Sequence, residues 1–484
     1  MPAGLGVVDT TLRDAHQCLW ATRMTTAMML PIAPRLDAIG FDAIDLMGAV
    51  TFDVCVRYLR EDPWERIRLL RQAIVTTPLN ALVRSRSLIS FDLLPEDVIE
   101  LWVRRLAANG IRRITAFDGL HEISNLVPAL RAARAEGLTV VACLVYADSP
   151  VHTDELYAAK ARGLVALGVD AVMLKDPGGL LTPARVRTLV PAVRQAIGRT
   201  PLELHSHCVT GLAPEVYLEA LPLGVDVVHA AIGPLAHGPS QPPIEYVTKH
   251  APRLGRAVAL DGAGLAAMAE HFRRVARLAG KPLGRIAEYD PFHYEHQIPG
   301  GMITNLEAQL AQLGIGPRLQ AVLEEVARVR RELGYLVMVT PFSQLVGTQA
   351  VLNVLAGERY RTIPDEVVKY AYGHYGSPAA PIDPEVMDRI VRSPAGRRIG
   401  APAPLPPALP RLRAAHGRIS DDELLLRVMF PDEHVDAMLA AGPARRALPD
   451  GRRPLVDLVA ALAGRPDLAG FRLRVDGGGL AAAR

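Results

Sequence analysis

The sequence predicts an α/β fold: a closed (β/α)8 barrel, followed by a helical region and a small helical tail. Three observations lead to this fold class. Short apolar segments recur about every 30 residues, segments with helical spacing lie between them, and most of those end at a glycine, the usual helix C-cap. Eight such units in succession favour a closed barrel over a doubly wound sheet.

Eight apolar segments are the predicted strands: residues 6–9, 43–47, 79–84, 113–118, 139–146, 171–176, 202–207 and 226–233. Helices are predicted between them at residues 24–40, 95–110, 126–137, 154–168, 183–197 and 214–224. When each strand is followed by a helix, all strands run in parallel and their carboxyl ends share one face of the barrel. That face carries the active site in barrels of this kind.

The chain beyond the barrel has the spacing of helices without strands between them. Helical spacing continues at residues 265–278, 303–313, 318–333 and 343–355. The proline-rich segment 401–407 then predicts a semi-rigid linker, and residues 420–441 predict helices interrupted at Pro431. We therefore expect a barrel domain at 1–300, a helical domain at 301–400, and a linker with a helical tail at 401–484.

The composition excludes several classes of protein. Half of the 484 residues are hydrophobic and 22% are charged, so the chain can bury a large core and is not a disordered one. The 54 basic and 51 acidic residues give a net charge of +3, too balanced for a nucleic-acid-binding protein. Four cysteines without a CxxC pair, and no visible signal peptide or long apolar span, predict a cytoplasmic protein without membrane insertion.

Polar residues at the ends of the predicted strands form the candidate site. His205 and His207 are two positions apart on one strand, so their side chains point to the same face. Asp14 follows the first strand and could join them as the carboxylate of a divalent metal site. The alternative is a pair of buried, hydrogen-bonded histidines, but their position at strand ends favours a metal site. The same ends carry Arg13, Arg84, Asp118, Lys175 and Asp176.

A set of ordered motifs carries a family resemblance. It consists of Asp9-Thr10-Thr11-Leu12-Arg13-Asp14-Ala15-His16-Gln17, Ala21-Thr22-Arg23-Met24, Thr51-Phe52-Asp53, Lys175-Asp176, His205-Ser206-His207, Ser240-Gln241-Pro242, Gln297-Ile298-Pro299-Gly300-Gly301-Met302 and residues 339–350. These motifs resemble the biotin-dependent carboxyltransferases: the carboxyltransferase domain of pyruvate carboxylase, the oxaloacetate decarboxylase α subunit and the transcarboxylase 5S subunit. The resemblance covers roughly residues 5–440 and implies that the helical domain completes an active-site funnel over the barrel.

The resemblance implies that a carboxyl group moves between biotin and a 2-oxoacid, by default pyruvate and oxaloacetate, through an enolate. The implied metal ligands are Asp14, Lys175, His205 and His207. The lysine would be carboxylated to a carbamate, because a free ammonium cannot bind a cation. Zinc, manganese or cobalt would suit this set, and the metal would act as a Lewis acid. The alternative for Lys175 is an ion pair with Asp176.

Further roles follow from the same resemblance. Arg13 would face the enolate oxygen as a catalytic cation. Thr340 would pass a proton between the substrate methyl group and the biotin ring nitrogen. Gln17 and Arg84 would bind the 2-oxoacid, since a guanidinium fork suits a carboxylate. The residues expected to bind biotin are Asp53, Ser343 and Arg84.

The sequence departs from the family pattern after the third strand. Where the family has Arg-Gly-Gln-Asn followed by a tyrosine, this chain has Arg84-Ser85-Arg86-Ser87 and Phe91. The metal and enolate positions are kept, which fits the same chemistry on a different oxoacid or altered access for biotin. Arg86 is either an extra cation for a more acidic substrate or a solvated loop residue, and both alternatives stay open.

Expectations about partners follow from what the chain contains. No biotinylation motif of the Ala-Met-Lys-Met type occurs in it, so no biotinyl domain is expected and biotin would arrive on a separate carrier protein. A biotin carboxylase or decarboxylase subunit is then the expected partner, and a homodimer is expected by analogy. Two alternatives remain: an aldol-type enzyme of the isopropylmalate synthase and HMG-CoA lyase group, and a catalytically altered scaffold subunit. Metal content separates the scaffold from either enzyme, and dependence on a carrier separates carboxyl transfer from aldol chemistry.

Overall fold

The computed structural model describes residues 4–300 and 316–448 without interruption, with residues 302, 303, 306, 310, 311, 314, 458, 459, 462, 463, 465 and 468 and the segments 470–475 and 478–483. The predicted helix at 303–313 therefore lies largely outside the described residues. So does much of the predicted tail after residue 448.

Eight parallel strands close into a barrel in the order β1 to β8, with β8 beside β1. The strands are β1 (Gly6–Asp9), β2 (Ala43–Met47), β3 (Leu79–Arg84), β4 (Arg113–Phe117), β5 (Thr139–Val145), β6 (Ala171–Asp176), β7 (Leu202–Ser206) and β8 (Val227–Ala230). The predicted fold class is confirmed. The largest difference in strand bounds is at β8, which ends before the 3₁₀ turn Gly233–Leu235. The N–H groups of Ala231, Ile232 and Gly233 donate to the Pro242 carbonyl, the Thr11 hydroxyl and the Glu245 carboxylate instead of to a neighbouring strand.

Helices surround the barrel in the predicted alternation. They are His16–Leu19, Thr26–Met29, Ala33–Asp37, Ala49–Val54, Pro63–Ala73, Glu96–Asn109, Val127–Ala135, Asp154–Ala166, Pro183–Ile197, Ala213–Ala220, Ile244–His250 and Gly262–Leu278. The predicted helix at 24–40 is interrupted by the 3₁₀ turn Leu30–Ile32. Pro31 and Pro34 explain the interruption, because a proline offers no N–H to a helix.

The region after the barrel is mainly helical. Its helices are His293–His296, Leu319–Glu332, Phe342–Ala356, Asp365–Ala371, Pro384–Arg392, Pro394–Arg398, Leu409–His416, Asp421–Met429 and Asp432–Ala440. Residues 401–407 are exposed and form neither helix nor strand. β9 (Gly470–Val475) and β10 (Gly478–Ala483) pair as an antiparallel hairpin, which the prediction of a helical tail did not include. Among the helices of the described chain, none has the length and apolar character that a membrane crossing requires. The division at residues 300 and 400 stays a prediction.

Within the described residues, buried apolar side chains form two large cores and a small third one. The largest lies between the strands and the surrounding helices, and the second lies within the helices after residue 298. In the third, Val337 and Val339 pack against Phe117, Cys143 and Met173 of β4, β5 and β6. Each such buried side chain contributes about 1.5–3 kcal/mol. This contact inserts the segment before Phe342–Ala356 into the barrel and fixes Thr340 beside its mouth.

Asp422 holds the tail against the side of the barrel. Its carboxylate accepts hydrogen bonds from Arg105 Nε at 2.7 Å and from Asn109 Nδ2 at 3.1 Å. Trp64 Nε1 donates to its backbone carbonyl at 3.1 Å. Phe430 at the end of the same helix joins the main core. The tail is therefore part of the packed structure as far as Leu448, which also contacts that core.

Candidate active-site cavity and metal centre

The end of β1 turns two charged side chains into the barrel. Asp9 Oδ1 accepts hydrogen bonds from the Thr11 N–H at 3.1 Å and from the Thr11 hydroxyl at 2.5 Å. The chain then enters the π-helical turn Thr11–Ala15. Arg13 and Asp14 lie in this turn and are both buried, so the local geometry of the strand end is what places them inside.

Asp14 meets the two histidines from the end of β7. Its Oδ2 lies 3.0 Å from His205 Nε2 and 3.4 Å from His207 Nε2, and the two imidazole nitrogens are 3.0 Å apart. Neighbouring ligand atoms around a metal with bonds of about 2.1 Å are about 3.0 Å apart in an octahedral shell and about 3.4 Å apart in a tetrahedral one. The three atoms are thus spaced like one face of a coordination shell.

The hydrogen bonds around these atoms also fit a metal. Asp14 Oδ2, the atom that faces both imidazoles, is buried and accepts no hydrogen bond of regular geometry in the described chain. His207 Nδ1 lies 2.7 Å from the Pro239 carbonyl, to which a protonated Nδ1 would donate, leaving Nε2 as the ligand atom. Two imidazole nitrogens and a carboxylate suit zinc, manganese or cobalt. Among the described residues this is the group of histidine, cysteine and carboxylate side chains that could hold a metal.

Lys175 is the fourth member of the cluster. Its Nζ lies 3.1 Å from His205 Nε2 and 3.5 Å from Asp14 Oδ2. Asp176, the alternative partner, instead accepts hydrogen bonds from the Leu180 and Leu181 N–H groups, both at 2.9 Å. The lysine therefore faces the candidate metal ligands, and Asp176 stabilises the loop after β6 by accepting its backbone hydrogen bonds.

Burial and neighbouring charges set the protonation of the cluster. Burial alone would raise the pKa of Asp14, but the cations of Arg13 and Lys175 hold that pKa well below its usual range. Burial and the charge of Lys175 lower the pKa of His205, which keeps this imidazole neutral. Against the effect of burial, the Asp14 carboxylate raises the pKa of His207 to about 10. A metal ion would have to displace that proton.

Two carboxylates fix the Arg13 guanidinium. Its Nη1 lies 2.9 Å from Asp14 Oδ1, and its Nε donates to Asp45 Oδ2 at 2.7 Å. Asp45 in turn accepts from Asn80 Nδ2 at 3.0 Å, and Asn80 accepts from the Thr115 hydroxyl at 2.9 Å. The prediction from sequence missed Asp45. Its one signal was a carboxylate inside the apolar strand β2.

A cavity of about 530 Å³ joins most of the predicted site residues. Its wall includes Arg13, Asp14, Gln17, Asp53, Arg84, Lys175, His207 and Thr340. His205 lies beneath it, in the barrel interior. Ser343 is buried and is not part of the cavity wall. Its hydroxyl lies 3.0 Å from the sulfur of Met302, and Met302 is part of the wall. The structure therefore brings all the predicted residues together except Ser343, which is one side chain removed.

Arg84 differs from the other cations of the cavity. It is buried, its Nη2 donates to the Ser90 carbonyl at 2.6 Å, and its Nε has no hydrogen-bond partner in the described chain. No carboxylate in that part of the chain pairs with it, and burial lowers its pKa to about 10. A buried guanidinium without a counterion is suited to bind an anionic ligand. Arg86, two residues on, is not in the cavity wall.

Three residues near the cluster have no predicted role. Cys18 Sγ lies 3.8 Å from His207 Nδ1 and 4.0 Å from Asp14 Oδ1. Gln241 Nε2 lies 3.1 Å from His207 Nε2. Gln344 extends the wall toward the helical domain. Gln241 and Gln344 fall in motifs that carried the resemblance, and Cys18 directly follows one, so the motifs, rather than the residue types, were the available signal.

Known carboxylases are similar to this chain. A family model described as a conserved carboxylase domain matches residues 294–442. A pyruvate carboxylase subunit of Methanocaldococcus jannaschii is 42% identical over 388 residues, covering 80% of this chain and 68% of that one. The 2-oxoglutarate carboxylase large subunit of Hydrogenobacter thermophilus is 33% identical over 443 residues, covering 90% of this chain and 68% of that one.

The similarity extends over nearly the whole chain in other cases. The methylmalonyl-CoA carboxyltransferase 5S subunit of Propionibacterium freudenreichii is 33% identical over 468 residues, covering 93% of this chain and 91% of that one. Among solved structures, the carboxyl transferase domain of Rhizobium etli pyruvate carboxylase with oxamate and biotin superposes with a TM-score of 0.83 at 28% identity, covering 90% of this chain and 78% of that one.

Proposed function

The chain belongs to the family of biotin-dependent carboxyltransferases, and from this membership we propose that it moves a carboxyl group between carrier-bound biotin and a 2-oxoacid at a divalent metal. The observation that carries the proposal is the convergence of Asp14, Lys175, His205 and His207 at the base of the cavity that also holds Arg84. Pyruvate and oxaloacetate are the proposed pair.

The four side chains at the base would hold the metal. Lys175 would take part as a carbamate, formed when its uncharged amine adds CO₂ and releases a proton. A zinc, manganese or cobalt ion bound there would supply Lewis-acid stabilisation of negative charge. Carboxylation would also replace the positive charge of Lys175 by a negative one. The cluster would then hold two anionic ligands, which suits a divalent cation.

Arg13 and Arg84 would bind the substrate. The Arg84 guanidinium lacks a counterion in the described chain and would take the 2-oxoacid carboxylate through its fork, with the Gln17 amide as a neutral donor. Arg13, held by Asp14 and Asp45, would face the oxygen on which charge develops. A cation fixed in advance stabilises that charge without reorganising during the reaction.

Thr340 would move the proton. In the decarboxylating direction the C3–C4 bond of oxaloacetate would break, with its carboxyl group going to the biotin ring nitrogen and the electron pair staying on the oxoacid as an enolate. Thr340 Oγ would accept the ring N–H proton, and the hydroxyl would give its own proton to the enolate carbon, which yields pyruvate. A hydroxyl both donates and accepts, so no charge remains on the threonine. Thr340 lies in the cavity wall, as this relay requires.

The two residues proposed for biotin alone, Asp53 and Ser343, already have other partners in the structure. Asp53 pairs with Arg57 Nε at 2.7 Å, so biotin would compete with that ion pair. Ser343 would act through Met302 or after a change of side-chain rotamer. Biotin would be delivered by a separate carrier charged by a biotin carboxylase, or discharged by a decarboxylase subunit. We place the reaction in the cytoplasm, in a homodimer.

The test is pyruvate formation from oxaloacetate by metal-loaded protein, with and without biotin linked to lysine (biocytin). Wild-type protein is expected to form pyruvate faster with biocytin, and Lys175→Ala is expected to lose both the activity and most of the metal. Lys249→Ala is the matched control, because this exposed lysine forms no side-chain hydrogen bond or ion pair in the described chain. Equal rates for wild type and Lys175→Ala would contradict the proposal.

The same assay separates the alternatives. The relatives favour carboxyl transfer over aldol chemistry, and an aldol-type enzyme would show no response to biocytin. A scaffold subunit would bind no metal. Running 2-oxoglutarate beside pyruvate in the carboxylating direction, with carboxylated biotin as the carboxyl donor, tests the substrate, since one relative is named a 2-oxoglutarate carboxylase.

A further inference from the structure

Arg330 is a buried arginine that the proposed chemistry does not use. It lies in the last turn of the helix Leu319–Glu332 and is 5% exposed. Its Nε donates to the Leu336 carbonyl and its Nη2 to the Asp148 carbonyl, both at 2.9 Å. Burial lowers its pKa to about 10, so the side chain stays a cation at neutral pH. A cation is costly to bury unless its donors are used, and these two hydrogen bonds offset that cost.

The two carbonyls that Arg330 binds belong to different parts of the molecule. Leu336 lies four residues before Thr340, in the segment that leads to the cavity wall, and Asp148 lies in the loop after β5. The Asp148 backbone is itself held by Gln297, whose Nε2 donates to the same carbonyl at 2.7 Å and whose Oε1 accepts from the Asp148 N–H at 3.3 Å. Arg330 therefore links the segment that carries Thr340 to a fixed point at the mouth of the barrel.

The backbone of this segment has few hydrogen bonds of its own. The Val339 N–H donates to the Val337 carbonyl at 2.8 Å, but the N–H groups of residues 336–338 and 340 donate to no backbone carbonyl in the described chain. Both valines pack against β4, β5 and β6, and apolar contacts of this kind have no preferred direction. The hydrogen bond from Arg330 therefore supplies a directional contact that the segment's own backbone does not.

The chain is also held just after Thr340. A Cβ at Gly119, in the loop after β4, would lie 2.6 Å from Phe342 Cδ2, so the absence of a side chain there lets the ring approach the barrel. The same ring packs edge-on against Tyr370 and Tyr375, with centroids 6.0 and 5.8 Å apart. Thr340 is thus placed between a polar link on one side and an aromatic contact on the other.

We infer that Arg330 is a positioning residue that sets the place of the Thr340 hydroxyl in the cavity wall. The inference rests on the proposed function, because the proton relay is what requires that hydroxyl to be exactly oriented. Proton transfer needs hydrogen-bond distance between donor and acceptor, and a displacement of about 1 Å costs about 100-fold in rate. Arg330 is not in the cavity wall, so it acts through Leu336 and not on the substrate.

The first experiment needs no turnover. Hydrogen–deuterium exchange is followed by mass spectrometry in full-length wild type, Arg330→Met, Arg330→Lys and, as matched control, Arg331→Met. Arg331 lies on the same helix, is exposed and forms no side-chain hydrogen bond or ion pair in the described chain. Arg330→Met is expected to speed exchange in residues 335–340 about tenfold, because local opening there becomes easier. Arg330→Lys should have a smaller effect, since an ammonium can still reach one carbonyl. Arg331→Met should exchange as wild type.

The second experiment is the oxaloacetate assay with biocytin. Arg330→Met is expected to lower kcat about 10–100-fold, while KM for oxaloacetate changes less than about twofold and metal content stays at the wild-type level. Arg330→Lys should lie between this variant and wild type. If Arg330→Met does not fold, Arg330→Lys carries both measurements.

Several outcomes would overturn the positioning role. Unchanged exchange in residues 335–340 would remove the link, and faster exchange with a wild-type kcat would show that the link does not matter to the reaction. A loss of metal equal to the loss of kcat, or the same changes in Arg331→Met, would make the effect a general one on the fold. A wild-type rate in Thr340→Ala, with faster exchange in Arg330→Met, would instead refute the proposed relay and leave the link between Arg330 and this segment standing.

Discussion

The base and the opening of the cavity use charge in opposite ways. At the base, Asp14 contacts Arg13, Lys175 and both histidines, and Arg13 has Asp45 as a second partner. Toward the opening, Arg84 and Arg23 have no carboxylate partner in the described chain. Oppositely charged side chains that are paired hold each other in a fixed arrangement. A buried charge without a partner has lost its hydration, and an anionic ligand that pairs with it offsets this cost. The comparison assigns the base to organising the reaction and the opening to receiving anions.

Removing a ligand at the base should have the largest effect. His207→Ala is expected to lower metal affinity by at least about 100-fold and to abolish carboxyl transfer. Removing a ligand costs more affinity than removing a residue that only hydrogen-bonds to a ligand, which itself costs about 10–100-fold. Metal content by mass spectrometry and pyruvate formation are the measurements. His416→Ala, at a position where the described chain shows no side-chain hydrogen bond or ion pair, is the control. Full metal content in His207→Ala would show that the base is not the metal site.

Loosening the base without removing a ligand should give the next effect. Asp45→Asn keeps the shape of the side chain but removes the charge that orients Arg13, so kcat is expected to fall about 10–100-fold. Metal content should stay near that of wild type. A fall in metal content equal to the fall in kcat would mean that Asp45 supports the cluster as a whole.

The pH dependence of metal binding tests the protonation of the base. The carboxylate of Asp14 raises the pKa of His207 to about 10, and a metal must displace that proton. Metal affinity is therefore expected to rise with pH, by up to about tenfold per unit below that pKa. Calorimetry in buffers of different ionisation enthalpy would count the proton released. Affinity that does not change between pH 6 and 8 would contradict this account.

A change at the opening side should affect binding more than turnover. Arg84→Lys keeps a cation but loses the planar fork, so KM for the oxoacid is expected to rise about tenfold with a smaller change in kcat. Metal content should not change. If Arg84→Lys lost metal as His207→Ala does, the distinction between base and opening would fail.

The sequence predicted the base better than the opening for a physical reason. Two histidines two residues apart on a strand must share a face. Asp14 follows β1, which lies one strand away from β7 only because the barrel closes through the pairing of β1 with β8. By contrast, the unpaired state of Arg84 depends on where the loop 85–91 places its carbonyls. No periodicity encodes that.

Asp45 and Ser343 mark the limits of motif reasoning. Asp45 is a single carboxylate in a buried strand, and only the position of Arg13 gives it a role. Ser343 was assigned to biotin from its motif. It lies inside the helix Phe342–Ala356, whereas Thr340 precedes that helix, so the two side chains do not share a helical face. The prediction placed both Thr340 and Ser343 at the cavity. The turn of the backbone into the helix directs only Thr340 to the cavity wall.

Ser343 therefore gives the smallest and most discriminating prediction. Because its hydroxyl contacts Met302 and is not in the cavity wall, Ser343→Ala is expected to change the biotin-dependent rate less than about fivefold, the cost of one ordinary hydrogen bond. Thr340→Ala should cost far more, and Thr340→Ser should recover much of the rate because the hydroxyl is restored. A loss in Ser343→Ala as large as that in Thr340→Ala would mean that biotin draws this serine into the cavity. The boundary between the packed wall and the ligand-binding opening would then lie one helical turn further along the chain.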